Sequence, residues 1–182
     1  MRDPHRSVIA IALVMLVACG KSHAEKQADE GAEQAEKAAP ISFEQLQTAL
    51  PTMRGWQMEK PRGERMALPV PFSQTEATYT KGDAQVEVKI VDSAFSSLLV
   101  APWATFLTTG YEKRTSDGYE KSVNVGGNPG FEKWNSEEQD GELNLVVAKR
   151  FLVTIAGNGI GDVKVLHEFA SKLDTKKLAT LK

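Results

Sequence analysis

The clearest alternation of apolar and polar residues lies between positions 74 and 92. Apolar side chains occupy every second position from 84 onward, with polar or charged ones between them: Ala84, Val86, Val88 and Ile90 against Gln85, Glu87 and Lys89. A period of two predicts a strand with one buried and one solvated face. The stretch 74–80 precedes it across Lys81, Gly82 and Asp83, and this spacing predicts a β-hairpin.

Several other short segments have strand character, and each is bounded by turn-forming residues. They are 55–60, 64–68, 111–116, 119–125, 131–136, 142–147 and 150–156. The predicted turns between them include 61–63, Asp117-Gly118, the run 126–130 and Ala148-Lys149. Turns as short as these imply antiparallel pairing of neighbouring strands.

Three helical segments are also predicted. Ser42 and Gln45 form a capping box at the start of the first helix. Pro102 opens the second helix, which carries Trp103 and ends at Gly110. The third begins at Asp162 and places four apolar residues on one stripe: Leu166, Phe169, Ala170 and Leu173. Asp174 is expected to cap a short last turn that holds Leu178 and Leu181.

Runs of strands and helices are segregated along the chain, which is typical of α+β proteins. We therefore expect one globular domain over 41–182. Its core is a single antiparallel twisted sheet of about seven strands with helices packed on it. The arrangement is similar to that of Mog1/PsbP-like domains of small lipid-anchored envelope proteins, a likeness of architecture without a shared motif.

The N-terminus has the pattern of a signal peptide. Arg2 and Arg6 precede the run 8–18, which contains eleven residues without a charged or polar side chain. A transmembrane helix needs about 20 apolar residues to cross the bilayer core, so this run is too short. We expect 1–18 to direct export of the chain.

The apolar run ends in Leu16-Val17-Ala18-Cys19. These four residues resemble the lipobox of bacterial lipoproteins. The resemblance implies cleavage before Cys19 and acylation of its sulfur, for example by palmitate, so that acyl chains hold the protein in a membrane. Position 20 is Gly rather than Asp, which in enterobacteria-like sorting implies the periplasmic face of the outer membrane rather than the inner membrane. The alternatives are a plain secreted protein or an N-terminal membrane helix with an incidental cysteine.

Residues 19–40 are predicted to be a lipidated cysteine followed by a flexible tether. From Gly20 to Pro40 there is no aromatic residue and no aliphatic side chain larger than that of alanine. Such a segment buries too little apolar surface to offset the entropy lost on ordering. The whole chain of 182 residues has a formal net charge of −2, which does not favour a nucleic-acid partner. Cys19 is its only cysteine, so the domain must fold without a disulfide.

Candidate chemistry in the domain is sparse. His167 is the only histidine after position 23. It could act as the base for a nucleophilic serine such as Ser93, although a partly exposed histidine on a helix is the simpler interpretation. A metal site is not predicted, since no second histidine or free cysteine accompanies it. The glycine-rich run 157–161 lacks the third glycine of a dinucleotide loop, because Asp162 stands in that position. We therefore predict no catalytic residue and no cofactor.

These features favour a non-enzymatic, lipid-anchored envelope protein that binds an unknown envelope protein or a small ligand. The predicted partner surface includes Trp103 and Tyr111, because exposed aromatic residues are common in binding sites. One alternative is a periplasmic hydrolase whose carboxylates come together only in the folded protein. Another is an accessory subunit of an envelope complex, with an exposed apolar strip near the same two aromatic residues.

Overall fold

The computed structural model describes residues 39–67, 71–94 and 110–181. Nine strands are present in this part of the chain: β1 (Gln57–Met58), β2 (Arg62–Met66), β3 (Phe72–Lys81), β4 (Ala84–Asp92), β5 (Glu112–Arg114), β6 (Gly118–Val125), β7 (Asn128–Asn135), β8 (Asp140–Val147) and β9 (Phe151–Asn158). Three helices accompany them, α1 (Phe43–Gln47), α2 (Lys164–Lys172) and α3 (Thr175–Thr180).

All nine strands belong to one antiparallel sheet. Their order across the sheet is β1-β3-β4-β9-β8-β7-β6-β5, and β2 pairs with β3 beside β1. The predicted α+β class and the single antiparallel sheet are therefore confirmed. The strand count is nine rather than about seven, because the short edge segments β1, β2 and β5 pair with the sheet as well.

One face of the sheet, the inner face, is covered by helices from both ends of the described chain. Strand alternation directs a contiguous apolar set to this face: Ala77, Tyr79, Val86, Val88, Ile90, Leu143, Leu145, Val153 and Ile155. Leu46 from α1, Phe169 from α2 and Leu178 from α3 complete the same core, and each is fully buried. We call the opposite side of the sheet the outer face.

Helix α2 lies close to the sheet because two glycines face each other beneath it. Gly141 of β8 pairs with Gly157 of β9, and Leu166 of α2 lies over both. A methyl group added at Gly157 would lie 2.7 Å from Ile160 Cδ1 and 3.1 Å from Leu166 Cδ2. Only the absence of a side chain at this pair allows the helix to approach so closely.

The predicted hairpin turn and helix caps, which depend only on residues close together in the sequence, are present in the structure. The β3–β4 hairpin turns at Gly82, whose φ is +60°. The capping box of Ser42 and Gln45 is formed at α1. Asp174 caps α3 by accepting a hydrogen bond from the amide of Lys177 over 2.9 Å.

The boundaries of several elements differ from the prediction. Arg62 and Gly63, predicted as part of a turn, lie in β2, because they pair with Glu76 and Thr75 of β3. The predicted loop 126–130 shortens to Gly126-Gly127, since β7 begins at Asn128. Helix α2 begins at Lys164 rather than Asp162. The helix predicted after Pro102 falls outside the described residues.

The glycine pair gives a first prediction. Gly157→Ala should lower the free energy of unfolding by about 1–3 kcal/mol, because its methyl group overpacks the contact with Ile160 and Leu166. Urea unfolding of the full chain measures this change. The control is Ala156→Ser on the outer face, which should change stability by less than about 0.5 kcal/mol. Equal stability of the two variants would contradict the close seating of α2.

Candidate functional site

A carboxylate is buried beneath helix α2 on the inner face of the sheet. Glu132 in β7 lies between Lys121 of β6 and Leu143 of β8 in the strand register, and it is only 1% exposed. A charge at this depth must be compensated by hydrogen bonds or opposite charge, because uncompensated burial is strongly unfavourable.

Three side chains provide that compensation. The Tyr119 hydroxyl donates to Oε1 of Glu132 over 2.7 Å, and Lys121 Nζ lies 3.2 Å from the same oxygen. His167 from α2 approaches the other oxygen, Oε2, through its Nε2 atom. Lys121 also lies over the Tyr119 ring, with Nζ 4.5 Å from the ring centroid. We call these four residues the Glu132 cluster.

The cluster keeps Glu132 ionised. Burial by itself would raise the pKa of this carboxyl, but hydrogen bonds from Tyr119, His167 and Lys121 outweigh burial and lower the pKa below its ordinary value. Burial raises the pKa of Tyr119, and the hydrogen bond to Glu132 raises it further. At neutral pH the tyrosine is therefore a protonated donor to a charged acceptor, the stronger kind of hydrogen bond.

A carboxylate that holds an imidazole resembles the arrangement that orients a general base. The His167 and Lys121 side chains are each 39% exposed, so the cluster reaches the protein surface. Ser93, the serine considered from the sequence, instead donates its hydroxyl to the carbonyl oxygen of Arg150 over 2.7 Å. The contacts of His167 in the described residues thus join α2 to the sheet and do not activate Ser93.

Tyr111 lies just before β5, on the outer face near the sheet edge. Its backbone amide donates to Oγ of Ser122 over 3.0 Å, and its hydroxyl lies 3.4 Å from a carboxylate oxygen of Glu120. The Tyr111 ring is half-buried, with its centroid 6.3 Å from that of Phe131. Trp103 and Cys19, the other predicted site residues, fall outside the described residues.

A shallow depression of about 260 Å³ lies on the outer face where β7, β8 and β9 meet. Three acidic residues line it, Glu138, Asp140 and Glu142. Each carboxylate already accepts a hydrogen bond: Glu138 from Asn135 over 3.1 Å, Asp140 from the Gly159 amide over 3.1 Å, and Glu142 from Asn144 over 2.5 Å. Within 39–67, 71–94 and 110–181, no group of three or more histidine, cysteine or acidic side chains could hold a metal ion.

Glu132 is a candidate functional residue that the sequence pattern does not indicate. Its strand contains Phe131 and Trp134, which lie on opposite faces, so strand alternation does not indicate which face is buried. A sequence signal is nevertheless present: Glu132 is a charged residue beside the aromatic Phe131, in a strand that has aromatic residues on both faces. Such a position indicates a charge that can be buried. Only the strand register then shows that Glu132 lies below His167.

No helix in the described part of the chain is long and apolar enough to cross a membrane. Comparisons of the chain with protein-family models, with curated proteins and with solved structures found no match.

The Glu132 cluster predicts a specific pH dependence of stability. Glu132→Gln should lower the free energy of unfolding at neutral pH by about 1–3 kcal/mol, because three donors lose a charged acceptor. The folded state lowers the pKa of Glu132, so its contribution is fully present above the unfolded value of about 4.3. The contribution is lost as pH falls through the folded pKa. Urea unfolding of both proteins from neutral to acidic pH measures this difference.

A matched control is Glu137→Gln, which removes a charge in the exposed turn between β7 and β8. Its stability should stay within about 0.5 kcal/mol of the wild type at every pH. A difference between Glu132→Gln and the wild type that grows on acidification would show that Glu132 is not stabilised in its charged form.

Proposed function

We propose that the chain is a lipid-anchored cell-envelope protein whose domain binds an envelope protein or a small ligand without catalysing a reaction. The observation that carries the anchoring is the lipobox-like Leu16-Val17-Ala18-Cys19 at the end of a short apolar run. One acyl chain gives only marginal membrane binding, whereas two or more hold a protein stably. The periplasmic face of the outer membrane is the favoured location, since Gly20 follows the cysteine.

The start of the described domain supports a tethered arrangement. Ala39 is exposed, whereas Pro40 and Ile41 are buried, so the chain enters the core where the predicted tether ends. If the predicted tether from Gly20 to Pro40 is a random coil, its average span would be about 25 Å. The domain is then held near the membrane but is free to reach a partner.

Tyr111 supports the location of the partner surface. It is half-buried beside Phe131 on the outer face, so part of its ring is accessible beside a fixed aromatic neighbour. Tyrosines that combine a rigid ring with a hydroxyl are enriched where proteins bind each other. If the protein is instead an accessory subunit of an envelope complex, we propose the same surface for its contact with the complex. The proposed surface also includes Trp103, as the sequence predicts.

The second candidate function is a periplasmic hydrolase. It is favoured by the depression that Glu138, Asp140 and Glu142 line together, because paired carboxylates perform acid and base catalysis in glycoside hydrolysis. It ranks below binding, since each of the three carboxylates already accepts a hydrogen bond: Glu138 from Asn135 at the end of β7, Asp140 from the Gly159 amide after β9, and Glu142 from Asn144 in its own strand.

The anchoring is tested by Cys19→Ser. This variant should move from the membrane fraction to the soluble fraction, because a serine oxygen is not a substrate for thioether formation and the acyl chains are lost. Fractionation of cells and the intact mass of the purified chain measure both effects. Ser22→Ala, a neighbouring change that keeps Cys19, is the control and should remain in the membrane. Unchanged attachment of Cys19→Ser would contradict the proposal.

The partner surface is tested by photo-crosslinking in intact cells. A photoreactive phenylalanine analogue at Tyr111 should give an adduct with a defined envelope component, since the aromatic ring stays in place. The same analogue at Asp83, in the exposed β3–β4 turn, should give little or none. Equal labelling at both positions would contradict a partner surface at Tyr111. Turnover of a substrate that is abolished by Glu142→Gln would favour the periplasmic hydrolase.

A further inference from the structure

A buried ion pair lies at one end of the two central strands. Asp92 ends β4 and is 0% exposed, and Arg150 precedes β9 and is 6% exposed. Arg150 Nε donates to Oδ1 of Asp92 over 2.7 Å, and Nη2 donates to Oδ2 over 2.8 Å. Two parallel hydrogen bonds of this kind fix both the distance and the orientation of the pair.

The same pair holds the first described residues of the chain. The Ile41 amide donates to Oδ2 of Asp92 over 2.8 Å, and Arg150 Nη2 donates to the carbonyl oxygen of Ala39 over 3.3 Å. We call residues 39–48, which include α1, the N-terminal strap. Ile41 and Leu46 bury the strap in the core at 5% and 0% exposure. The ion pair therefore connects the entry point of the chain to the middle of the sheet.

Backbone strain is concentrated around this pair. Four non-glycine residues of the described chain have a positive φ, and three of them flank the pair: Ala94 at 46°, Ala148 at 52° and Lys149 at 56°. The Ala94 amide donates to Oδ1 of Asp92 over 2.9 Å. Residues with a Cβ atom adopt this conformation at an energetic cost, and they keep it where surrounding contacts hold them. Ala148 and Lys149 are the central residues of the turn in the β8–β9 hairpin, in which positive φ at both residues is the favoured geometry. The ion pair is thus flanked on both sides by turns of fixed conformation.

We propose that Asp92 and Arg150 form a clasp that holds the N-terminal strap on the central strands, and that the strap opens as a local unit when the clasp opens. The proposal rests on the proposed function in one respect. Ala39 and Ile41, at the start of the described residues, are bonded to the clasp, so tension in the proposed membrane tether would act on it. The clasp thus couples the tether to the domain and gives the domain a defined point of attachment.

Hydrogen exchange of the full chain, followed by mass spectrometry, tests the clasp. Arg150→Lys keeps the charge but loses the planar fork that bonds both oxygens of Asp92. Amides of the strap should then exchange roughly tenfold faster, because strap opening becomes easier, while the amides of α2 keep their rates. An equal increase in the strap, β4 and α2 would mean general destabilisation and would overturn the proposal, as would unchanged exchange.

A second pair of variants tests the clasp without weakening the fold. Lys149→Gly relieves a positive φ beside Arg150 and should slow strap exchange about threefold, because glycine tolerates this conformation. Gln139→Gly makes the same change at the remaining strained residue, with φ of 57° in the distant β7–β8 turn, and should leave strap exchange unchanged. An identical response of strap exchange to both variants would overturn the proposed clasp.

Strap exchange in Cys19→Ser should equal that of the wild type. A failure of membrane anchoring is in this way distinguished from a failure of the clasp.

Discussion

The contact of α2 with the inner face of the sheet positions the Glu132 cluster. Leu166 rests on the paired glycines Gly141 and Gly157. One turn further, Phe169 meets Tyr79 edge-on with ring centroids 5.0 Å apart. These contacts fix the height and direction of the helix. His167 lies between the two on the sequence and is thereby held over Glu132. The polar cluster thus depends on the apolar contact, because a side chain at either glycine would crowd Leu166 and displace it from its present position.

Two buried carboxylates are stabilised in different ways. Asp92 is held by a bidentate arginine and by the backbone amides of Ile41 and Ala94, so its donors have a fixed geometry. Glu132 is held by donors from three side chains, all of which belong to partly exposed residues. An intact buried ion pair adds little net stability, but the loss of one partner strongly destabilises the fold, because the other charge is then buried without compensation. Asp92 therefore suits a structural clasp, whereas the charge of Glu132 is maintained by side-chain donors that lower its pKa.

The sequence predicts those features that depend on neighbouring residues. The β3–β4 hairpin follows from strict alternation about Gly82, and the caps at Ser42 and Asp174 follow from single side chains. The antiparallel α+β sheet follows from the order of these elements. The burial of Glu132 and Asp92 could not be predicted in this way. Asp92 meets Arg150 because β4 pairs with β9, which is distant in sequence. Glu132 is covered because α2, 35 residues further along the chain, packs over β7. A shift of one residue in strand register would turn either side chain to the other face.

The edges of the sheet bear on how the domain meets a partner. At one edge, all five residues of β2 are exposed and three of them are charged, Arg62, Glu64 and Arg65. At the other edge, β5 is three residues long and consists only of Glu112, Lys113 and Arg114. Short, charged edge strands oppose pairing with another sheet. In the proposed membrane-anchored state neighbouring copies would meet often, and such edges would oppose their pairing. Partner binding through an added strand is disfavoured at both edges, so the proposed partner would contact side chains of the outer face, where Tyr111 lies.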